Sequence, residues 1–174
     1  MKVILYMAMT VNGMIAGTDD KTNWLTKEEA ESYCSIVREA GCLIVGRRTY
    51  HILTKQPEFQ EFNNAKLIVV SHNDVRLVDP SHAVAHSPQE AVDLLSDFRE
   101  IIVAGGGILN ASFLAANLVD EIFLDIEPVI LGAGIPLFKG QSFERDLKFL
   151  GQKMISDSEI QLHYEIVKEN SYKG

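Results

Sequence analysis

Gly105, Gly106 and Gly107 follow the apolar run Ile101-Ile102-Val103-Ala104 and precede Leu109, Phe113 and Ala116, which recur at helical spacing. A turn without side chains lets a ligand reach backbone N–H groups, and the helix after it adds unpaired N–H donors and the positive end of its dipole. Phosphate suits such a turn. The dinucleotide fingerprint G-x-G-x-x-G is half met, because Asn110 stands where its third glycine belongs. Tight packing of a helix on a strand is the other use of the same glycines. A second candidate is Glu29, three residues after Thr26. Thr-x-x-Glu is the pattern of a capping box, and the same carboxyl could donate a proton if burial raised its pKa. No metal site is expected: none of the 5 histidines pairs with a cysteine at zinc spacing. His163-Tyr164-Glu165 imitates the H-x-E of zinc deaminases but lacks their P-C-x-x-C partner. Neither a Ser/His/Asp signature nor a P-loop is present.

The elements around these residues follow from apolar periodicity and turn signals. Lys2 to Met9 reads as a first strand ending at the Asn12-Gly13 turn, and Asp19 to Asn23 as a loop closed by Trp24. A helix starts at the Thr26 cap with Ala30, Tyr33 and Val37 on one stripe. Cys42 to Val45 is a second strand ending at Gly46, and Arg47 to Leu53 begins another helix. Gln56 to Asn64 is irregular, its aromatics covering a pocket or closing the core. Lys66 to Val70 is the third strand, and Ala83 to Ala85 a brief fourth. Ser87-Pro88-Gln89-Glu90 starts a helix with Ala91, Leu94, Leu95 and Phe98 on its buried face. Glu121 to Val129 is a strand stopped near Pro128, and Leu131 to Phe138 a glycine-punctuated loop. Leu147 to Ile155 and Ile160 to Val167 then form a closing antiparallel hairpin. The expected architecture is a single three-layer α/β/α domain over 1–174, with a mixed central sheet and a C-terminal hairpin.

Composition narrows the functional classes. A net charge of −8 and a pI near 5.1 argue against a general nucleic-acid binder, which carries a basic surface. No apolar run approaches the roughly 18 residues of a membrane span. The 2 cysteines, Cys34 and Cys42, form neither a disulfide framework nor a C-x-x-C, and read as reduced core thiols of a cytoplasmic protein. The partner is therefore expected to be a small molecule. The closing hairpin leaves a sheet edge, for which a two-fold homodimer is the expected cover.

Met9-Thr10-Val11-Asn12-Gly13, Cys42 to Tyr50, Val103-Ala104-Gly105-Gly106-Gly107, Val119-Asp120-Glu121 and Pro128 to Phe138 together resemble the dihydrofolate-reductase-like family. More narrowly, they resemble the reductase domain of riboflavin biosynthesis and its stand-alone bacterial relatives. The resemblance spans nearly the whole chain. It implies a mixed sheet flanked by helices and an NADPH-dependent reductase acting on a pteridine-like or ribosylaminopyrimidine-like compound. Dihydrofolate reductase proper and a non-catalytic NADPH-binding protein are the alternatives.

The resemblance places Gly46, Arg47, Arg48 and Thr49 at the cofactor's phosphates, and a helix start with cations and a hydroxyl suits an anion. Ser71, His72 and Asn73 match the loop facing the adenosine end and its 2′-phosphate; Gly105, Gly106, Gly107, Ile108 and Leu109 match the pyrophosphate turn. Ala8, Ile15 and Ala16 match contacts near the nicotinamide, while Asn12, Trp24 and Arg38 are implied for the substrate. Folate-reducing members carry a carboxylate a few residues beyond a tryptophan, which makes Glu29 the proton-donor candidate here. Two departures leave the substrate open. Leu53-Thr54-Lys55-Gln56-Pro57-Glu58 replaces the acidic-proline segment of riboflavin reductases, and Trp24-Leu25-Thr26-Lys27 replaces the Trp-x-Leu-Pro of folate reductases.

Overall fold

The computed structural model describes residues 1–168; the last six positions of the expected 1–174 domain lie outside the described residues. The chain begins in the middle of its sheet. Strand β1 (Lys2–Thr10) is followed by a short β2 (Met14–Ala16), helix α1 (Lys27–Ala40), β3 (Cys42–Gly46) and α2 (Arg47–Leu53). A 3-10 turn over Pro57–Phe62 leads to β4 (Lys66–Val70) and β5 (Ala83–Ala85), then α3 (Pro88–Asp93), β6 (Glu100–Val103) and α4 (Gly107–Ala115). β7 (Glu121–Glu127), β8 (Ile135–Pro136), β9 (Leu147–Met154) and β10 (Ile160–Ile166) complete it.

The main sheet has 8 strands in the order β5-β4-β3-β6-β1-β7-β10-β9. β5 through β7 run parallel, and β10 and β9 close the sheet antiparallel. Parallel strands need both faces covered, and two buried clusters do so. α1, α2 and the Pro57–Phe62 turn supply Cys34, Val37, Tyr50 and Phe62 to one face. α3 and α4 supply Ala91, Val92, Leu109 and Phe113 to the other. The result is the expected three-layer α/β/α arrangement.

Local signals explain the helix positions. Thr26 caps α1 by accepting the Glu29 N–H at 3.1 Å, and Gly41, at φ +73°, ends it with its N–H on the Val37 carbonyl. Ser87 accepts the Glu90 N–H at the start of α3, with Pro88 in the first turn.

Several expectations are corrected. α3 stops at Asp93, so Leu94 no longer follows helical spacing and is 39% exposed, whereas Val92 and Leu95 are buried. α4 ends at Ala115, leaving Ala116 exposed. Gln56 to Asn64 is not irregular throughout, since Pro57–Phe62 forms a 3-10 helix and Phe62 closes the core. The loop around Gly134 holds a strand that pairs with β2 in a separate two-stranded sheet. That pairing requires glycine at 134, because a Cβ there would stand 2.5 Å from the Ala16 carbonyl oxygen. On β10, where Ile160, Leu162, Tyr164 and Ile166 alternate, only Ile166 is buried; the other three are half-buried, and the intervening Gln161 is buried.

Candidate functional site

A cavity of about 1370 Å³ opens where β1, β3, β4 and β6 end, the place in a parallel sheet where loops leave ligand-sized crevices. Its wall contains the residues expected for a dinucleotide: Ala8, Ile15, Ala16, Gly46 through Thr49, Ser71 through Asn73, and Gly105 through Leu109. Glu29 lines the same cavity. Residues from four strand ends and the first turn of α1 thus meet around one space.

The glycine turn is shaped by contacts on two sides. A Cβ on Gly105, at φ +117°, would stand 2.8 Å from the Thr49 methyl, and one on Gly107 would lie 2.4 Å from the Pro136 carbonyl oxygen. Gly106, at φ +87°, is different: a Cβ there would meet only Thr49 Oγ1, at 3.5 Å, so the side-chain space is left to the cavity. The helical bond from Asn110 N–H to the Gly106 carbonyl (3.0 Å) leaves the N–H groups of Gly107, Ile108 and Leu109 without intrahelical acceptors. Asn110 fills the third-glycine position with a tie, donating from Nδ2 to the Leu137 carbonyl at 3.0 Å. The Lys139 N–H donates to the Gly107 carbonyl at 2.9 Å, which brings Lys139 to the cavity wall beside the turn. A pyrophosphate fits this cradle of N–H donors with a cation beside it.

At the other anion-facing wall the expected donors differ in availability. Arg47 and His72 are exposed on the cavity. Arg48 is paired with Asp20 of the early loop, its Nε donating to Oδ2 at 2.7 Å. The Ser71 hydroxyl donates to the Asn73 carbonyl and accepts the Asn73 N–H, so it shapes its own turn. His86, which the sequence did not single out, also lines the cavity and lies 2.9 Å from the Ser71 carbonyl.

Glu29 is 5% exposed, and its pKa is pushed up to about 8, first by burial and then by Asp125, Glu127 and Glu159. It is not the returning partner of a capping box. The Thr26 N–H, which such a box would give to Glu29, donates instead to Glu127 Oε1 at 3.2 Å. The Thr26 hydroxyl donates to Glu159 Oε1 at 2.8 Å. Of the two facing carboxyls, Glu127 is raised by burial and by its hydrogen bond with Glu159. Burial also pushes Glu159 up, but hydrogen bonds with Glu127, Ser156 and Thr26 outweigh it and hold Glu159 low. Asp125 is fully buried and raised by that burial, although the Tyr6 hydroxyl and Gln161 Nε2 both donate to it. Burial above all raises the Tyr6 phenol. Tyr6 stacks on Tyr33 with ring centroids 5.7 Å apart, and both rings line the cavity near Glu29's helix. The site therefore presents flat aromatic surface and a protonated carboxyl at neutral pH.

The three substrate residues implied by resemblance lie outside the cavity wall. Arg38 pairs with Glu61 on the exposed side of α1, at 3.2 Å. Asn12 clamps the far loop, donating to the Leu131 carbonyl at 2.7 Å and accepting the Leu131 N–H at 3.2 Å. Trp24 has a buried Nε1 with no acceptor among the described residues. Tyr6, Tyr33 and Lys139 were not anticipated. Tyr6 reads as one more residue of an apolar strand, and only the crossing of α1 over β1 makes it a wall. Among the described residues no group of histidine, cysteine and carboxylate side chains could hold a metal, and no helix is long and apolar enough to cross a membrane.

Known proteins are similar to this chain over most of its length. YwjB of Bacillus subtilis, an uncharacterised protein, is 29% identical over 169 residues, covering 94% of this chain and 97% of YwjB. The crystal structure of a proposed riboflavin biosynthesis protein of Shewanella sp. PV-4 superposes with a TM-score of 0.77 at 20% identity, over 97% of this chain and 100% of that one. Dihydrofolate reductase of Enterococcus faecalis, solved with NADP(H), superposes with a TM-score of 0.76 at 14% identity, over 96% of this chain and 97% of that one. At these identities the two structures show a shared fold. Residues 1–160 match the RibD C-terminal domain, and the chain belongs to that family.

Proposed function

We propose that the protein is an NADPH-dependent reductase that delivers a hydride to a planar heteroaromatic compound of the pteridine or ribosylaminopyrimidine kind. The observation that carries this reading is Glu29: a buried carboxyl, protonated at neutral pH, on the wall of the cavity that also holds the glycine turn. The family, a reductase domain, and the NADP(H) bound to a protein of the same fold support it.

NADPH, when bound, supplies the hydride. The chain's own residues do the rest. Gly105 to Leu109 offer backbone N–H groups to the pyrophosphate, with Lys139 adding a positive charge. Arg47 and His72, both exposed on the cavity, offer a cation and a ring N–H to the adenosine 2′-phosphate. Ala8, Ile15 and Ala16 form an apolar, mostly buried wall that keeps water from the nicotinamide end. Tyr33, backed by the buried Tyr6 ring stacked on it, presents aromatic surface to the substrate ring. Glu29 gives its proton to the heteroatom reduced as the carbon bonded to it receives the hydride, and regains one from solvent afterwards.

The test is a screen of dihydropterins and ribosylaminopyrimidines for NADPH oxidation at 340 nm, about the absorption maximum of the reduced cofactor, run with wild type and Glu29→Gln. We expect turnover by wild type with one of these classes and a loss of about 10²-fold or more in kcat for the amide variant. Undiminished turnover by Glu29→Gln removes it as donor; tight NADPH binding without turnover on either class favours the idle binding protein.

A further inference from the structure

Helix α1 opens with a Thr-x-x-Glu sequence whose usual geometry is absent. In a capping box the threonine hydroxyl accepts the N–H of the glutamate, and the glutamate carboxylate turns back to the threonine N–H. Only the first half is made here, as the Glu29 N–H donates to Thr26 Oγ1 at 3.1 Å. Two carboxyls from other parts of the sheet occupy the remainder. Glu127, the last residue of β7, takes the Thr26 N–H at 3.2 Å. Glu159, the residue before β10, takes the Thr26 hydroxyl proton at 2.8 Å. Both are sealed from solvent, at 1% and 0% exposure, and neither lines the cavity. The turn between β9 and β10 holds Glu159 in place, since the Ile155 N–H donates to the Glu159 carbonyl at 2.9 Å.

Burying two carboxyls is costly, and apolar residues would fill the same volume at less expense to stability. What the arrangement achieves is local. With the Thr26 N–H occupied, the Glu29 carboxyl has no cap to return to, and its place is on the cavity wall.

We infer that Glu127 is a positioning residue for Glu29, with Glu159 anchoring the Thr26 hydroxyl: by taking the Thr26 N–H, Glu127 displaces the Glu29 carboxyl from its helix cap and holds it facing the cavity. The pair has an electrostatic effect as well. The titratable groups facing Glu29 are Asp125 and Glu127 from β7, Glu159 ahead of β10, Tyr6 from β1 and Tyr33 on α1 itself. Negative charge on any of these disfavours a second charge on Glu29. The functional meaning of the inference rests on Glu29 being the proton donor, but the placement can be read without a substrate.

The experiment uses the full chain labelled with ¹³C at glutamate carboxyls and with ¹⁵N, titrated from about pH 4 to about pH 10 so as to bracket both the ordinary and the raised carboxyl. Wild-type Glu29 is expected to titrate near 8. Glu127→Gln keeps an oxygen for the Thr26 N–H, so Glu29 stays on the wall and its midpoint remains well above 4.5. Glu127→Ala frees the Thr26 N–H; Glu29 folds back onto it, and its midpoint drops to the ordinary carboxylate range. Equal midpoints in Glu127→Gln and Glu127→Ala overturn the inference, because charge alone would then account for the effect. A second measurement does not depend on the alanine variant folding. Glu29→Gln should leave the Thr26 amide cross-peak where it is in wild type, since Glu127 is its acceptor. A displaced Thr26 amide in Glu29→Gln shows that Glu29 is the cap and overturns the inference. Absence of reductase turnover with any compound affects neither readout.

Discussion

Glu29 carries a cost that a purely structural residue would not. Its carboxyl ionises near 4.5 when the chain is unfolded and near 8 in the fold, so between those values the folded state binds more protons than the unfolded one. Stability from this group is therefore fully present below pH 4.5 and is lost as pH rises towards 8. The slope is at most about 1.4 kcal/mol per pH unit. Glu29→Gln cannot ionise and is expected to lose that slope, which makes the variant more stable than wild type at pH 8 while it is catalytically impaired. Denaturant melts of both proteins at pH 5 and pH 8 provide the check; an equal pH dependence in the two would mean that Glu29 titrates normally. Greater stability together with lower activity marks a group retained for chemistry.

At the scale of elements, the glycine turn between β6 and α4 joins two demands. Gly105 and Gly107 are fixed by the protein's own packing, against Thr49 and the Pro136 carbonyl. Gly106 is constrained by its φ of +87° and by the ligand space its missing side chain leaves open. Gly106→Val is expected to cost on the order of 3 kcal/mol in backbone strain, within the stability of a typical domain, and to abolish NADPH binding by filling the cradle. Calorimetric titration with NADPH and NADH tests both the turn and the adenosine end. A charge-assisted hydrogen bond from Arg47 contributes about 1.5–3 kcal/mol, enough for a preference of roughly tenfold or more for NADPH. Global charge of −8 opposes an anion, but it is screened beyond about 8 Å at physiological salt. Arg48 adds to that preference only if the cofactor outcompetes Asp20 for it. Unchanged NADPH affinity in Gly106→Val removes the turn from the site, and NADH binding as tight as NADPH binding removes Arg47 from the 2′-phosphate.

At the scale of the whole molecule, the β9 edge of the sheet is open. β9 lies at the sheet edge with residues exposed along nearly its entire length, including Leu147, Phe149, Leu150 and Met154 at 42–59%. Phe149 packs edge-on against Tyr164 of β10, so the two strands present a joint apolar surface. Exposed edges with apolar side chains invite pairing, and a second copy supplies a matching surface by two-fold symmetry. We propose a homodimer through the β9–β10 hairpin. Sedimentation equilibrium is expected to give twice the 19.4 kDa chain mass, and Phe149→Lys to shift the mass towards the monomer with cofactor affinity retained. A monomer mass for wild type across a wide concentration range rejects the dimer.

Local chemistry made much of this legible in the sequence. Apolar runs flanked by glycine, the Thr26 and Ser87 caps and the Gly105–Gly107 turn each act within a few residues, so the strands and the helix starts could be read directly. The separate β2–β8 sheet escaped because its strands are 3 and 2 residues long and are joined through positions more than a hundred residues apart. Asn12 and Arg38 were read as substrate contacts from their place in motifs, but a motif does not say which way a side chain leaves the backbone. Packing turned Arg38 to Glu61 and Asn12 to Leu131. Glu29 shows the division most clearly. Its sequence context, three residues after Thr26, specifies a helix start and leaves a cap and a proton donor equally open. Tertiary structure decided the cap, because Glu127, which takes the Thr26 N–H in place of Glu29, is about a hundred residues away in the chain and meets Thr26 only when β7 is in place.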